Sequence, residues 1–232
     1  FNKIVPMRFI FSVFLLSAFL FVSSAQTIKT VSDTIVVDRA GSGHFRTVQQ
    51  AIDSVRAFNP AGTVTIFIKK GFYKEKLILP THVCNVKMVG EDRDQTIINY
   101  DDHANINKMG TFRTFTMKIS GNDITLENLT IENSAAPLGQ AVALHVEGDR
   151  IVFKNCRFLG NQDTIYAGRE NSRQLFIDCY IEGTTDFIFG PATAWFENCI
   201  IHCKRNSYIT AANTHQNIPY GFIFNKCTIT LA

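Results

Sequence analysis

One phrase recurs through the second half of the chain. It reads Phe-Lys-Asn-Cys-Arg-Phe around Cys156, Phe-Ile-Asp-Cys-Tyr-Ile around Cys179, Phe-Glu-Asn-Cys-Ile-Ile around Cys199 and Phe-Asn-Lys-Cys-Thr-Ile around Cys227. Leu129 holds the same place in an earlier copy, so the intervals from Leu129 to Cys227 are 27, 23, 20 and 28 residues. A constant core phrase separated by loops of variable length marks a solenoid, in which each coil buries its apolar face on its neighbours. Within 151–158, Ile151 and Phe153 share one parity, and a shift near Asn155 then brings in Cys156 and Phe158. A bend between two faces of a coil, placed at one point of every repeat, produces that break in a period of two. A β-sandwich also has many short strands. It would want Asn-Gly or Asp-Gly hairpin turns, which are absent, and it has no reason to repeat one phrase. The pattern therefore predicts an all-β chain folded as a right-handed parallel β-helix.

Short β-type runs fill the chain from Val64 onward: 64–68, 77–79, 86–89, 96–100 and 115–119, then 124–131, 141–146, 151–158, 175–181, 194–202 and 221–230. Before them, Val48, Ala51, Ile52 and Val55 follow the i, i+3, i+4, i+7 spacing of an amphipathic helix. A helix over 47–58 with Thr47 as N-cap is expected, covering the open end of the solenoid. The phrase cysteines act as small apolar residues in an interior stack, which favours free thiols over bridges even in an exported chain. Cys84 and Cys203 fall outside the phrase.

The first 25 residues are of another kind. Met7-Arg8 precedes an apolar run over 9–22 that ends at Ser23-Ser24-Ala25, the layout of a secretory signal peptide cleaved before Gln26. At 14 residues the run is short of the roughly 20 that a bilayer span needs. The expected division is a signal peptide over 1–25, with 1–6 read as sequence upstream of a start at Met7, and one domain over 26–232. The mature chain is then secreted and without a stable membrane anchor, and is expected to be a monomer. Net charge is +3, and because Lys3 and Arg8 are the only charged residues of the first 25, the remainder carries 21 basic against 20 acidic residues. That balance, with no Lys/Arg-rich run, gives no footprint for nucleic acid.

Candidate chemistry lies on the same repeat. Gln140 and Gln162 are 22 residues apart, and Asp163 and Asp186 are 23 apart, about one coil in each case. Stacked parallel strands lie ~4.8 Å apart, so residues matched on neighbouring coils are within side-chain reach. Two carboxylates that close cannot both ionise cheaply; one holds a proton and the other is free to act as a nucleophile. The glutamine amides supply N–H donors of the kind that stabilise an oxyanion in acyl transfer. The bland alternative is that these residues cap turns or form a surface ladder. No clustered His/Cys spacing suggests a metal site, and no Gly-x-Ser-x-Gly elbow suggests a serine hydrolase. Asn128-Leu-Thr130 is a formal glycosylation sequon, read here as a ladder or inward asparagine within a strand.

Gly71-Phe-Tyr-Lys-Glu75, Gln140-Ala-Val-Ala-Leu144, Gln162-Asp-Thr-Ile165 and Asp186-Phe-Ile-Phe-Gly190 resemble, in order, four signature blocks of the pectin methylesterases, and the resemblance runs from about residue 34 to the end. It implies a β-helix enzyme that demethylates homogalacturonan (pectin), releasing methanol, with no cofactor and no metal. Asp186 matches the nucleophile, Asp163 the general acid that later serves as base, and Gln140 and Gln162 the oxyanion donors. Tyr166 and Phe189 resemble aromatic sugar-binding positions, although core packing explains Phe189 equally well, and Thr111 is a further substrate-binding candidate. Gly71, Tyr73 and Glu75 read as structural. A fifth block, Leu-Gly-Arg-Pro-Trp, whose arginine orients the nucleophile, has no counterpart before Ala232, so the sequence is read as truncated at its C-terminal side. Two rivals stay open: a glycoside hydrolase on the same fold, since two carboxyl groups ~5 Å apart also suit a retaining glycosidase, and a non-catalytic carbohydrate-binding β-helix.

Overall fold

The computed structural model describes residues 34–59 and 62–232; the expected signal segment lies outside them. Among the described residues, twenty-one strands, every pair parallel, form three sheets of eight, seven and six strands. The chain visits the sheets in turn and returns one rung further along, as a right-handed parallel β-helix. The first sheet includes Ile124–Glu127, Ile151–Lys154, Arg173–Ile177, Thr193–Glu197 and Phe222–Asn225. The second includes Thr130–Asn133, Arg157–Leu159, Tyr180–Gly183, Ile200–Cys203 and Thr228–Leu231. The third, which carries the site, is built of three-residue strands: Leu77–Leu79, Met117–Ile119, Leu144–Val146, Ile165–Ala167, Ile188–Gly190 and Thr210–Ala212.

The recurring phrase is the corner between the first two sheets. Each long run expected from sequence in this region splits there into two strands. Asn128, Asn155, Asp178, Asn198 and Lys226, one residue before the Leu/Cys position, all adopt φ between 49° and 56°. Asn and Asp enter this left-handed region at low cost because their short polar side chains bond locally. Here they also form a ladder: Asn155 Nδ2 donates to Asn128 Oδ1 at 2.7 Å, and Asn198 Nδ2 to Asp178 Oδ1 at 2.6 Å. Asn128 is thus a ladder residue at a bend, not a residue inside a strand.

Inside the corner, Leu129, Cys156, Cys179 and Cys199 are buried, and every cysteine of the described residues is a free thiol. Each phrase cysteine donates weakly to a carbonyl, as Cys179 Sγ does to Phe153 O at 3.6 Å. Burial pushes the Cys156 thiol up to about 12, which suits a packing role. Beside the cysteines, strict register stacks Phe153, Phe176, Phe196 and Phe224, with successive ring centroids 4.6, 4.6 and 4.7 Å apart.

The helix covers Val48–Asp53, with the Thr47 hydroxyl capping Gln50 N–H. It is shorter than the expected 47–58: the backbone leaves helical bonding after Asp53, although Val55 still packs into the core. Glu75 has a structural part within the Gly71–Glu75 block. Its carboxylate accepts from Val48 N–H at 2.9 Å and Gln49 N–H at 3.0 Å, tying the solenoid to the free donors of the helix start. Tyr73 is buried and its hydroxyl donates to Lys69 O at 2.8 Å. Replacing Phe176 by alanine removes the middle of the ring stack, and urea unfolding should show a loss of about 3–5 kcal/mol; a loss below 1 kcal/mol would mean that the coils do not depend on this column.

Candidate active site

The third sheet sets the site by register. Leu144, Ile165 and Ile188 are matched on successive coils, as are His145, Tyr166 and Phe189. Counting back two residues from the first row places Asp163 and Asp186 side by side. Backbone bonds extend the ladder into these turns: Ala141 N–H donates to Gln162 O at 3.1 Å, Asp163 N–H to Thr185 O at 3.2 Å and Asp186 N–H to Tyr208 O at 2.8 Å. Both aspartates sit in the left-handed region, with φ of 66° and 49°. That twist turns the chain from the second sheet into the third.

Gln140 joins the expected column across an irregular step in the ladder. Leu144 to Ile165 is 21 residues, one fewer than Gln140 to Gln162, and the ladder takes up the difference at Ala143 and Leu144, whose N–H groups both donate to Thr164 O, at 2.9 and 3.0 Å. Before that step Ala141 N–H donates to Gln162 O at 3.1 Å, the parallel-ladder bond that sets Ala141 against Asp163 and Gln140 against Gln162. A separate loop holds it: Gln140 O accepts from Ala104 N–H at 2.9 Å. Two residues on, Val142 N–H donates to Thr114 Oγ1 at 2.9 Å, while Val142 O accepts from the buried Asn133 Nδ2 at 3.1 Å. Among the described residues neither glutamine side-chain amide has a hydrogen-bond partner.

The carboxylates differ in setting. Asp163 is 8% exposed, and Asp186 is half-buried. Burial, helped by the negative charge of Asp186, pushes Asp163 up from 3.8 to about 7. No protein donor reaches either side chain among the described residues, so nothing offsets that burial. The pair therefore presents one acid that keeps its proton near neutrality beside a second, less buried carboxyl group.

An aromatic surface adjoins the pair. Tyr166 and Phe189 pack at 5.0 Å, and both meet Phe112, at 5.0 and 6.5 Å. Phe189 is half-buried on the outward row; its neighbour Phe187 is the buried one, so core packing does not account for Phe189. Phe112, 55% exposed, was not singled out from the sequence, because its loop has no strand periodicity to announce a side-chain direction. Thr111 opens the short turn Thr111–Arg113; its carbonyl accepts from Thr114, and the turn presents Phe112 to the other rings. His145 completes the row under Tyr166 at 4.7 Å. Its Nε2 lies 2.9 Å from Glu147, and burial holds its pKa below the usual histidine value.

A right-handed parallel β-helix bearing a paired aspartate site, two open amides and an aromatic wall on one face is the class that fold and site define. Comparison with known proteins agrees with that class. Residues 34–232 match the family model described as Pectinesterase. Pectinesterase 31 of Arabidopsis thaliana is 39% identical over 205 residues, covering 84% of this chain and 64% of that protein. Pectinesterase 4 of the same plant is 37% identical, over 86% of this chain and 35% of its own length. Among solved structures, the pectin methylesterase from carrot superposes with a TM-score of 0.81 at 32% identity, over 87% of this chain and 64% of that one. A pectin methylesterase in complex with a hexasaccharide gives 0.76 at 32% identity, over 85% and 66%. The chain belongs to the pectinesterase family. It spans just under two thirds of the first of these relatives and about a third of the longer one.

The Asp163 shift has a definite consequence for stability. The native state holds this proton up to about 7, whereas the unfolded chain releases it near 3.8. The native state binds more protons in that window, so this group's contribution to stability falls as pH rises through it. Asp163→Asn removes the effect. Its stability relative to the unsubstituted protein, from urea unfolding, should rise between pH 4 and pH 7; a constant difference would contradict a buried, proton-retaining Asp163.

Proposed function

We propose that this chain hydrolyses the methyl esters of homogalacturonan, giving pectate and methanol, with Asp186 as nucleophile and Asp163 as acid and then base. The observation that carries the reading is the in-register pair in which Asp163 keeps a proton near neutrality beside Asp186. A carboxylate oxygen of Asp186 attacks the ester carbonyl carbon, and the carbonyl pair moves onto oxygen, where N–H groups of Gln140 and Gln162 receive it. When the tetrahedral centre collapses, the bond to the methoxy group breaks and the departing oxygen takes the proton of Asp163. The resulting acyl-enzyme is opened by water, which returns a proton to Asp163 as its oxygen joins the carbonyl carbon and Asp186 leaves. The apolar faces of Phe112, Tyr166 and Phe189 suit the flat side of a sugar ring.

The family and the hexasaccharide held by one of the structural relatives support this choice of substrate. The free amides favour this reading over glycoside cleavage, which needs two carboxyl groups but no oxyanion donors. Export by the N-terminal apolar segment, a single domain over 26–232 and action as a soluble monomer complete the proposal. Among the described residues no helix is long and apolar enough to cross a membrane.

Methanol release from methyl-esterified pectin tests the assignment. Asp186→Asn should abolish it, and Gln140→Ala or Gln162→Ala should each lower kcat by about 10²–10³. Release by Asp186→Asn at the original rate, or new reducing ends in place of methanol, would overturn it.

A further inference from the structure

The chain crosses from the second sheet to the third by turns of unequal length. Residues 160–164 suffice in the coil of Asp163, whereas the crossing from Tyr100 to Met117 takes residues 101–116. Among the described residues it is the longest such crossing, and loops of that length commonly carry function. It reaches the site at two points. Ala104 N–H holds Gln140 O at 2.9 Å, with Asn105 Nδ2 donating to Leu138 O beside it, and Phe112 meets Tyr166 at 5.0 Å. Its own backbone does not dictate this shape. Asn107, Lys108 and Gly110 sit at φ of 49°, 53° and 73°, and strained residues of this kind persist only where their surroundings hold them.

Two side chains close the neck of this turn. Asn133 is buried and donates to Asp102 O at 2.9 Å and to Thr114 O at 3.0 Å. Lys76, one coil earlier, adds the other clasp. Its ammonium pairs with the Asp102 carboxylate and donates to the Arg113 carbonyl, so a single charge joins the two ends. The same group lies 5.6 Å from the Tyr100 ring and 4.9 Å from the Phe115 ring, on the two flanks of the turn. Partly withdrawn from water and held from four sides, it is more firmly placed than an ordinary surface ion pair.

Resting on the proposed activity, we propose that Lys76 is a positioning residue that acts through this turn. By clasping 102–113 it keeps Phe112 against Tyr166, where a sugar ring would lie, and keeps the Gln140 backbone where the side-chain amide can receive the oxyanion. Lys76 itself has no part in the acyl transfer. Asn133 holds the same neck without charge, so loss of Lys76 should loosen the turn and leave the solenoid folded.

Lys76→Met keeps the aliphatic stem and removes the ammonium. Hydrogen exchange of the Ala104 amide should quicken about tenfold, because its bond to Gln140 opens as the turn loosens. With methyl-esterified pectin KM should rise about three- to tenfold, whereas in a Phe112→Ala background the same substitution should change KM by less than about twofold, since the ring it positions is gone. The same cycle read on trigalacturonate binding, by calorimetry, needs no turnover. Lys76→Arg should restore part of each effect. Asp102→Asn opens the clasp from its other end; it should reproduce Lys76→Met, and it replaces that variant if it fails to fold. Unaltered Ala104 exchange, or an equal rise in KM in both backgrounds, would overturn the inference. If the unsubstituted protein releases no methanol, the proposed activity fails, while amide exchange and the binding cycle still decide the role of Lys76.

Discussion

Everything in this molecule depends on parallel coils stacking in strict register. Each strand bonds to the same position one coil away, and a slip of a single residue would turn every inward side chain outward. The apolar columns enforce that register. Phe153, Phe176, Phe196 and Phe224 stack ring on ring, and the Leu/Cys column beside them fills the corner with small side chains that larger ones would push apart. The left-handed Asn and Asp residues at the bends set where each coil turns. Register thereby converts distance along the sequence into position in space.

The site exploits that conversion and adds electrostatics. Register alone brings Asp163 and Asp186 together; the core beneath the third sheet makes the partnership asymmetric, because Asp163 is buried and Asp186 only partly so. Desolvation acts first on Asp163 and the neighbouring charge second. The polar groups around the pair are left open rather than mutually satisfied. Two free amides and the free guanidinium of Arg205 border the same turns, while the buried Asn133 behind them uses both ends of its amide to hold the backbone. Rigid support with unspent donors on the exposed side is the arrangement a binding site requires.

Much of this was legible from sequence, and the failures have physical reasons. The recurring phrase announced both the solenoid and its bends, since a parity break repeated at Asn155 and its counterparts can only be structural. The aspartate pair was legible because its spacing of 23 equals the local coil length from Ile165 to Ile188. Gln140 keeps its match with Gln162 at an interval of 22, although the strand step from Leu144 to Ile165 is 21, because Ala143 and Leu144 share the carbonyl of Thr164, an irregularity no sequence period announces. The three-residue strands at Ile165–Ala167 and Ile188–Gly190 are too short for an alternation to register. Phe112 and Arg205 lie in loops, where no period says which way a side chain points. The helix was overextended past Asp53 because Val55 continues its apolar spacing while the backbone does not.

The central claim is that register and burial together make Asp163 a proton-holding acid beside Asp186. Carboxyl-carbon NMR titration of Asp163 tests it most directly, in the unsubstituted protein and in Asp186→Asn. The account predicts a midpoint near 7 that moves down when the neighbouring charge is removed, yet stays well above 3.8 because burial is the larger cause. A midpoint near 3.8 in the unsubstituted protein, or one indifferent to Asp186, would contradict it.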